Sequence, residues 1–136
     1  MPILPAQEPL NLSMPQSITE LVVDRHNPAS VELLLPMLAH LSRTSENRWI
    51  TWVTTAHTQG CPSRQLLKDY GIDSQRLRII HADNATHQRW ITWEVMMAGN
   101  SQAVIASLGV LSRHDRAYFN RAAERGQCQA LLWRLH

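Results

Sequence analysis

Apolar segments typical of strands alternate with segments of helical period along most of this chain, and that alternation constrains the fold more than any other feature. The first strand is predicted at 18–23 and the last at 128–135. A strict alternation of strand and helix is typical of parallel sheets joined by helical crossovers. The sequence therefore predicts an α/β fold, a three-layer sandwich with a mainly parallel sheet and helices on both faces.

Three more strands and four helices are predicted between the first strand and the last. Three more strands are predicted at 48–54, 76–81 and 102–108, the last almost entirely apolar and so central in the sheet. Helices are predicted to begin at Asn27-Pro28, at Pro62, at Asn84 or Thr86 and at Ser112, the last with a capping box to Asp115. Glycines 71, 99 and 126 end the second, third and fourth of them. Pro36 lies inside the first helix and predicts a kink.

The organisation of the chain follows from its length and its prolines. Residues 1–16 contain four of the seven prolines and show no period, which predicts a flexible, proline-rich N-terminal arm. The remaining 17–136 is predicted to be a single α/β domain, because a chain of 136 residues is too short for two separate cores.

Charge and hydropathy exclude several classes of protein. A net charge of +2 gives no reason to expect a nucleic acid or an anionic membrane as partner. No apolar run approaches the roughly 20 residues of a membrane span, and no secretory signal precedes the first strand, which favours a cytoplasmic protein. Cys61 and Cys128 are then expected to be free thiols.

The residues that most catalytic and cofactor sites require are missing. None of the five glycines forms GxxxxGK[ST] or GxGxxG, so no nucleotide or other cofactor is expected. His81 and Asp83, with His87 nearby, follow a predicted strand and resemble a general base with its orienting carboxylate; Asp83 can equally help to cap the next helix. His57 and Cys61 are spaced like half of a metal site, but no second pair completes it, and no metal is expected.

Aromatic and basic residues suggest which side chains pack in the core and which surfaces bind other molecules. Trp90, Trp93 and Met97 share one helix face, which is expected to lie in the core. Trp49 and Trp52 are three apart on a strand and must point to opposite faces; one is expected in the core, and the other is either covered by a helix or a solvent-facing anchor. The arginines of the last helix form either a solvated face or a DNA-binding one, and no helix-turn-helix accompanies them.

A family resemblance emerges from five segments taken in order. They are LLLPML at 33–38, ENRWITWVT at 46–54, YGID at 70–73, AGNSQAVIASLG at 98–109 and AAERGQCQALLWRL at 122–135. Together they resemble SulA, the family of SOS-induced bacterial cell-division inhibitors. The resemblance implies a RecA-like core without the nucleotide-binding loop, a homodimer, and no enzymatic activity. It also implies that the chain binds FtsZ, the tubulin-like division GTPase, on its polymerising face and blocks filament assembly.

The resemblance also implies which residues take part. The family positions for FtsZ binding fall on Arg48, Ile72 and Arg76, where the third carries arginine in place of the lysine of the best-known members. An apolar contact between two arginines suits an acidic loop, so charge reversal at Arg48 or Arg76 is expected to weaken binding and leave the fold intact. The terminal His136 matches a residue that the Lon protease reads as a degradation signal in some members, although the tail that usually precedes it is missing.

Two further functions stay open on the sequence alone. One is a RecA-like accessory protein of DNA damage tolerance that acts through protein–protein contacts, because short SulA-like chains resemble part of such proteins. The other is a small hydrolase that uses His81 and Asp83. Co-sedimentation with FtsZ and GTP separates the cell-division inhibitor from both.

Overall fold

The computed structural model describes residues 18–23, 34–42, 47–55, 64–72 and 74–135, which build one five-stranded sheet with helices on both faces. The strands are β1 (Ile18–Val23), β2 (Trp49–Thr55), β3 (Leu77–Ala82), β4 (Ser101–Ser107) and β5 (Gln129–Leu135). The helices are α1 (Leu35–Ser42), α2 (Arg64–Asp69), α3 (Ala85–Ala98) and α4 (Arg113–Gly126). A turn of 3-10 helix at Ser74–Arg76 leads into β3.

The strands lie in the order β1-β5-β4-β2-β3, and every pair of neighbours is parallel. The predicted α/β fold, with helices on both faces of a parallel sheet, is confirmed. β4 occupies the centre, and residues 101–106 of it are buried, as its apolar sequence predicts. β5 lies between β1 and β4, so its apolar segment is paired within the chain.

Each face of the sheet has its own apolar core. α1 and α2 cover one face, where the largest buried side chains are Trp52, Trp133, Leu35 and Leu38. α3 and α4 cover the other, where Met96 and Phe119 pack on residues of β4 and β5. The prediction that one of the two tryptophans of β2 lies in the core is confirmed, since Trp52 is buried there, whereas Trp49 is partly exposed.

Several predictions fall on residues that the structure does not describe. They are the N-terminal arm at 1–16, the helix starts at Asn27 and Pro62, the pair His57 and Cys61, and the terminal His136. The kink at Pro36 depends on that helix start and stays a prediction too; in α1, Pro36 lies in the first turn, where its missing N–H breaks no helical hydrogen bond. Among the described helices, none is long and apolar enough to cross a membrane.

The face of α3 that meets the sheet differs from the predicted one. Its buried residues are Gln88, Thr92, Val95 and Met96, whereas Trp90 is exposed and Trp93 and Met97 are half-buried. Two hydrogen bonds satisfy the buried polar groups: Gln88 Nε2 donates to the carbonyl of Val53 at 3.0 Å, and Thr92 Oγ1 donates to the carbonyl of Gln88 at 2.7 Å. Because these bonds remove the cost of burying an amide and a hydroxyl, the polar stripe lies inward and the tryptophans lie outward.

The end of α4 shows a second difference. Gly126 is the last helical residue, as predicted, but the left-handed conformation belongs to the next residue, Gln127 (φ 52°). Gly126 instead lies against α3, where a Cβ atom would come within 1.6 Å of the carbonyl oxygen of Met96. Glycine is therefore required at 126 because the two helices approach each other closely at their C-terminal ends.

Cys128 is a free, buried thiol directly before β5. Burial raises the pKa of this thiol from 9.0 to about 11, although the charge of Arg48 acts in the opposite direction. The native state therefore holds the proton more tightly than the unfolded chain. The resulting stabilisation is complete below pH 9 and is lost as the pH rises through 11.

In a Cys61→Ser background, we expect iodoacetamide to alkylate Cys128 in the folded protein at pH 8 at least about a hundredfold more slowly than after unfolding, because thiolate is the reactive form. Mass spectrometry over a time course measures both rates. A Cys61→Ser/Cys128→Ala variant controls for other nucleophiles. Equal rates in the folded and unfolded protein would show that the thiol is neither buried nor shifted.

Candidate partner-binding edge

β2 and β3 begin side by side at one edge of the sheet, and the predicted arginines lie where they begin. Arg48 directly precedes β2, and Arg76 directly precedes β3. Ile50 lies opposite Leu77 in the parallel register. The expectation that both arginines lie at the same end of two adjacent strands is therefore met.

A third arginine, absent from the predicted set, completes this edge. Arg78 donates to Thr51 Oγ1 from Nε at 3.3 Å and from Nη2 at 3.1 Å, and Nη2 also lies 3.4 Å from Ser101 Oγ. The two hydroxyl oxygens lie 2.8 Å apart and belong to fully buried residues. Buried partners on two strands thus hold the guanidinium of Arg78 in one position.

Trp49 lies beside Arg78 and is 39% exposed. The guanidinium carbon of Arg78 lies 5.5 Å from the centroid of the indole ring, within the range of a cation–π contact. We call Arg48, Trp49, Arg76 and Arg78 the arginine–tryptophan edge. Tryptophan and arginine are the residues most enriched among the strongest contributors to protein–protein binding.

Arg48 also has a structural role that the sequence does not reveal. Its Nη1 donates to the carbonyl of Gly126 at 3.2 Å and lies 3.5 Å from the carbonyl of Gly99. These carbonyls belong to the C-terminal ends of α4 and α3, where the helix dipole favours a positive charge. Arg48 therefore joins the start of β2 to the ends of both helices, and the expectation that it can be changed without cost to the fold requires correction.

Ile72 supports the edge from inside the core. It is only 3% exposed and packs among the residues beneath α1 and α2. The cause is the end of α2: Gly71 takes φ 77°, its N–H bonds to Lys68, and the N–H of Ile72 bonds to the carbonyl of Leu67 at 3.0 Å. In this Schellman motif the residue after the glycine packs back on the helix, so the role of Ile72 as an exposed contact is corrected to that of a buried support.

The histidine–aspartate cluster at the opposite edge of the sheet forms a helix cap. Asn84 Oδ1 accepts the N–H of His87 at 2.8 Å, and His87 Nδ1 accepts the N–H of Asp83 at 3.0 Å. The Nδ1 lone pair of His87 is therefore occupied. His81 and Asp83 are exposed at this edge. This geometry matches the capping interpretation.

Comparisons with known proteins agree on one family. The family model described as Cell division inhibitor SulA matches residues 16–130. A SulA from Serratia proteamaculans is 32% identical over 117 residues, which cover 86% of this chain and 67% of that protein. A SulA from Pseudomonas aeruginosa is 27% identical over 125 residues, covering 92% of this chain and 76% of that protein. The crystal structure of SulA from Pseudomonas aeruginosa superposes with a TM-score of 0.76 at 29% identity, covering 90% of this chain and all of that one.

Proposed function

Because the chain belongs to the SulA family of cell division inhibitors, we propose that it arrests division by binding FtsZ through the arginine–tryptophan edge. The bound FtsZ subunit cannot accept its neighbour, and the pool that can polymerise is depleted by mass action. This action needs no catalysis and no cofactor. It takes place in the cytoplasm during the SOS response to DNA damage, and the inhibitor acts as a homodimer.

The observation that carries the proposal is the pairing of an exposed tryptophan with a fixed arginine. Trp49 offers apolar area, and Arg78 is already held by Thr51 and Ser101 before any partner arrives. A side chain that is fixed in advance loses little conformational entropy on binding. With Arg48 and Arg76 on the same edge, the surface suits an acidic loop that also presents an apolar contact.

The sharpest test removes Trp49 or the charge of Arg78. We expect Trp49→Ala and Arg78→Met each to weaken FtsZ binding about thirtyfold, the loss of roughly 2 kcal/mol that is typical of such residues. GTP-dependent pelleting of FtsZ from the same organism, titrated with each variant, measures the concentration that halves the polymer. Arg48 is less suitable for this test, because its loss also perturbs the helix ends.

Arg113→Met is the matched control, since Arg113 is an exposed arginine at the far end of α4. It should inhibit polymerisation like the wild type. All three variants should keep the wild-type circular dichroism spectrum. If Trp49→Ala and Arg78→Met are folded and still block polymerisation at the wild-type ratio, the edge does not bind FtsZ.

His136 belongs to the same proposal as a signal for degradation by Lon, which would end the arrest once damage is repaired. The half-life of the chain in cells with and without Lon, compared with that of a His136→Ala variant, tests this part.

A further inference from the structure

The turn that joins α3 to β4 contacts the arginine–tryptophan edge at two points besides Arg48. The carbonyl of Asn100 accepts the backbone N–H of Trp49 at 2.9 Å. The next residue, Ser101, places its hydroxyl 3.4 Å from Nη2 of Arg78. Residues about 20 to 50 positions away in the sequence therefore set the positions of both the exposed tryptophan and the arginine beside it.

A bulge at the start of β4 directs Ser101 toward this edge. Trp49 lies opposite Ser101 in the register, but the next residue of β2 lies opposite Ala103, so Gln102 is an extra residue in β4. Successive residues of a regular strand point to opposite faces, which would put Ser101 on the side of Ala103, beneath α1 and α2. The extra residue turns Ser101 to the other face, where its hydroxyl meets that of Thr51. Bulges commonly change the direction of a side chain next to a functional site.

The hydroxyls of Thr51 and Ser101 form a directed network with Arg78. A hydroxyl carries one proton and two acceptor lone pairs. Thr51 Oγ1 accepts from both Nε and Nη2 of Arg78, which occupies its lone pairs, so its own proton is donated to Ser101 Oγ. Thr51 and Ser101 are both 0% exposed. Neither side chain can touch a partner, so any effect of these hydroxyls on binding has to pass through Arg78.

The network leaves one side of the guanidinium for a partner. Nε and Nη2 of Arg78 bind the two hydroxyls, and within the described part of the chain Nη1 takes part in no hydrogen bond. The ring centroid of Trp49 lies 5.5 Å from the guanidinium carbon. A hydrogen bond to a carboxylate weakens steeply when its donor is misaligned. The strength of such a bond at Nη1 therefore depends on the groups that fix the orientation of Arg78.

We propose that Thr51 and Ser101 are positioning residues of the arginine–tryptophan edge, which hold Arg78 in the orientation that presents Nη1 to a carboxylate of FtsZ. This inference rests on the proposed function, and it adds the start of β4 to the elements that build the site. It predicts that the affinity for FtsZ depends on the two hydroxyl groups and not on the volume of the side chains that carry them.

A double-mutant cycle between Thr51 and Arg78 tests the inference. Biolayer interferometry, at FtsZ concentrations too low for polymerisation, gives the dissociation constant for each variant. Thr51→Val keeps the shape of the side chain without the hydroxyl, so we expect it to raise that constant about tenfold in the wild type. Added to Arg78→Met, it should change the constant by less than about twofold, because the group through which it acts is gone. Thr51→Ser keeps the hydroxyl and should bind within about twofold of the wild type.

Thr92→Val is the matched control. Thr92 is also 0% exposed and its hydroxyl is also bonded, but it lies in α3 and donates to the carbonyl of Gln88. This variant loses a buried hydroxyl without changing Arg78, so it should bind FtsZ like the wild type. Circular dichroism gives the folded fraction of every variant. If Thr51→Val does not fold, Ser101→Ala replaces it in the cycle with an expected loss of about threefold, since its contact with Arg78 is longer.

The inference is wrong if Arg78→Met weakens binding while Thr51→Val, or Ser101→Ala in its place, does not. It is also wrong if the hydroxyl variant costs as much affinity in the Arg78→Met background as in the wild type, or if Thr51→Ser binds as weakly as Thr51→Val. An Arg78→Met variant that binds like the wild type would reject the arginine–tryptophan edge itself, and this inference with it. That single variant therefore separates a failure of the proposed function from a failure of the positioning role.

Discussion

Replacing Gly126 by alanine is expected to lower the free energy of unfolding by about 3 kcal/mol or more. The new Cβ would lie 1.6 Å from the carbonyl oxygen of Met96 and 2.8 Å from its carbonyl carbon. Both atoms belong to the backbone of α3, so no side-chain rotation relieves the clash and the helices must separate. Alanine has the higher helix propensity by about 1 kcal/mol, so a loss of stability in this variant comes from the clash.

Gly109→Ala is the matched control for this substitution. Gly109 has φ 75°, and no heavy atom lies within 4 Å of the position of its missing Cβ. Its replacement should cost only the backbone strain, about 1 kcal/mol. Urea denaturation followed by circular dichroism measures both variants. If Gly126→Ala loses no more stability than Gly109→Ala, the two helices are not in close contact.

The second large effect is expected at Arg48. Arg48→Glu should lower the free energy of unfolding by about 3 kcal/mol, because it removes the donor to the carbonyl of Gly126 and places a carboxylate at the negative ends of two helices. Arg48→Lys keeps the charge but not the planar fork, so about half of that loss is expected. Thermal and urea denaturation, each at low and at physiological salt, measure the loss in free energy of unfolding for Arg48→Glu and for Arg48→Lys.

Charge reversal at Arg113 provides the control for Arg48. Arg113 is the first residue of α4, where a glutamate is favourable for the helix dipole. Arg113→Glu should therefore leave stability unchanged or raise it by a few tenths of a kcal/mol. Equal losses in Arg48→Glu and Arg113→Glu would show that net charge, and not the contact with the helix ends, causes the effect.

The parts of the fold that could be predicted from the sequence are those fixed by neighbouring residues. Ser112 caps α4 through the N–H of Asp115, and the Asp115 carboxylate returns to the N–H of Ser112, so both ends of that capping box are visible in four residues. Asn84 caps α3 in the same local way. The strand positions follow from short apolar runs, and β1 begins and ends at the predicted residues.

The predictions that required correction depend on residues far apart in the sequence. The period of α3 predicts two tryptophans and a methionine inside; the bond from Gln88 to Val53 instead turns the opposite side of the helix to the sheet. Gly126 is close to Met96 only because two crossover helices converge. One signal for Arg78 is available in the sequence, its position two residues after Arg76 within the strand predicted at 76–81, but its hydroxyl partners lie on two other strands. The burial of Ile72 can be predicted from the sequence alone. A glycine followed by an apolar residue, after a helical turn that contains leucine, indicates a Schellman motif in which that apolar side chain is buried.

Arg48 has two roles that a single substitution changes together. It directly precedes Trp49, and its guanidinium contacts the carbonyls at the C-terminal ends of α3 and α4. The same side chain therefore contributes to the stability of the domain and to the positive charge of the arginine–tryptophan edge. A loss of inhibition in an Arg48 variant consequently reports on folding and on binding at once, so the amount of folded protein has to be measured before the loss is assigned to the edge.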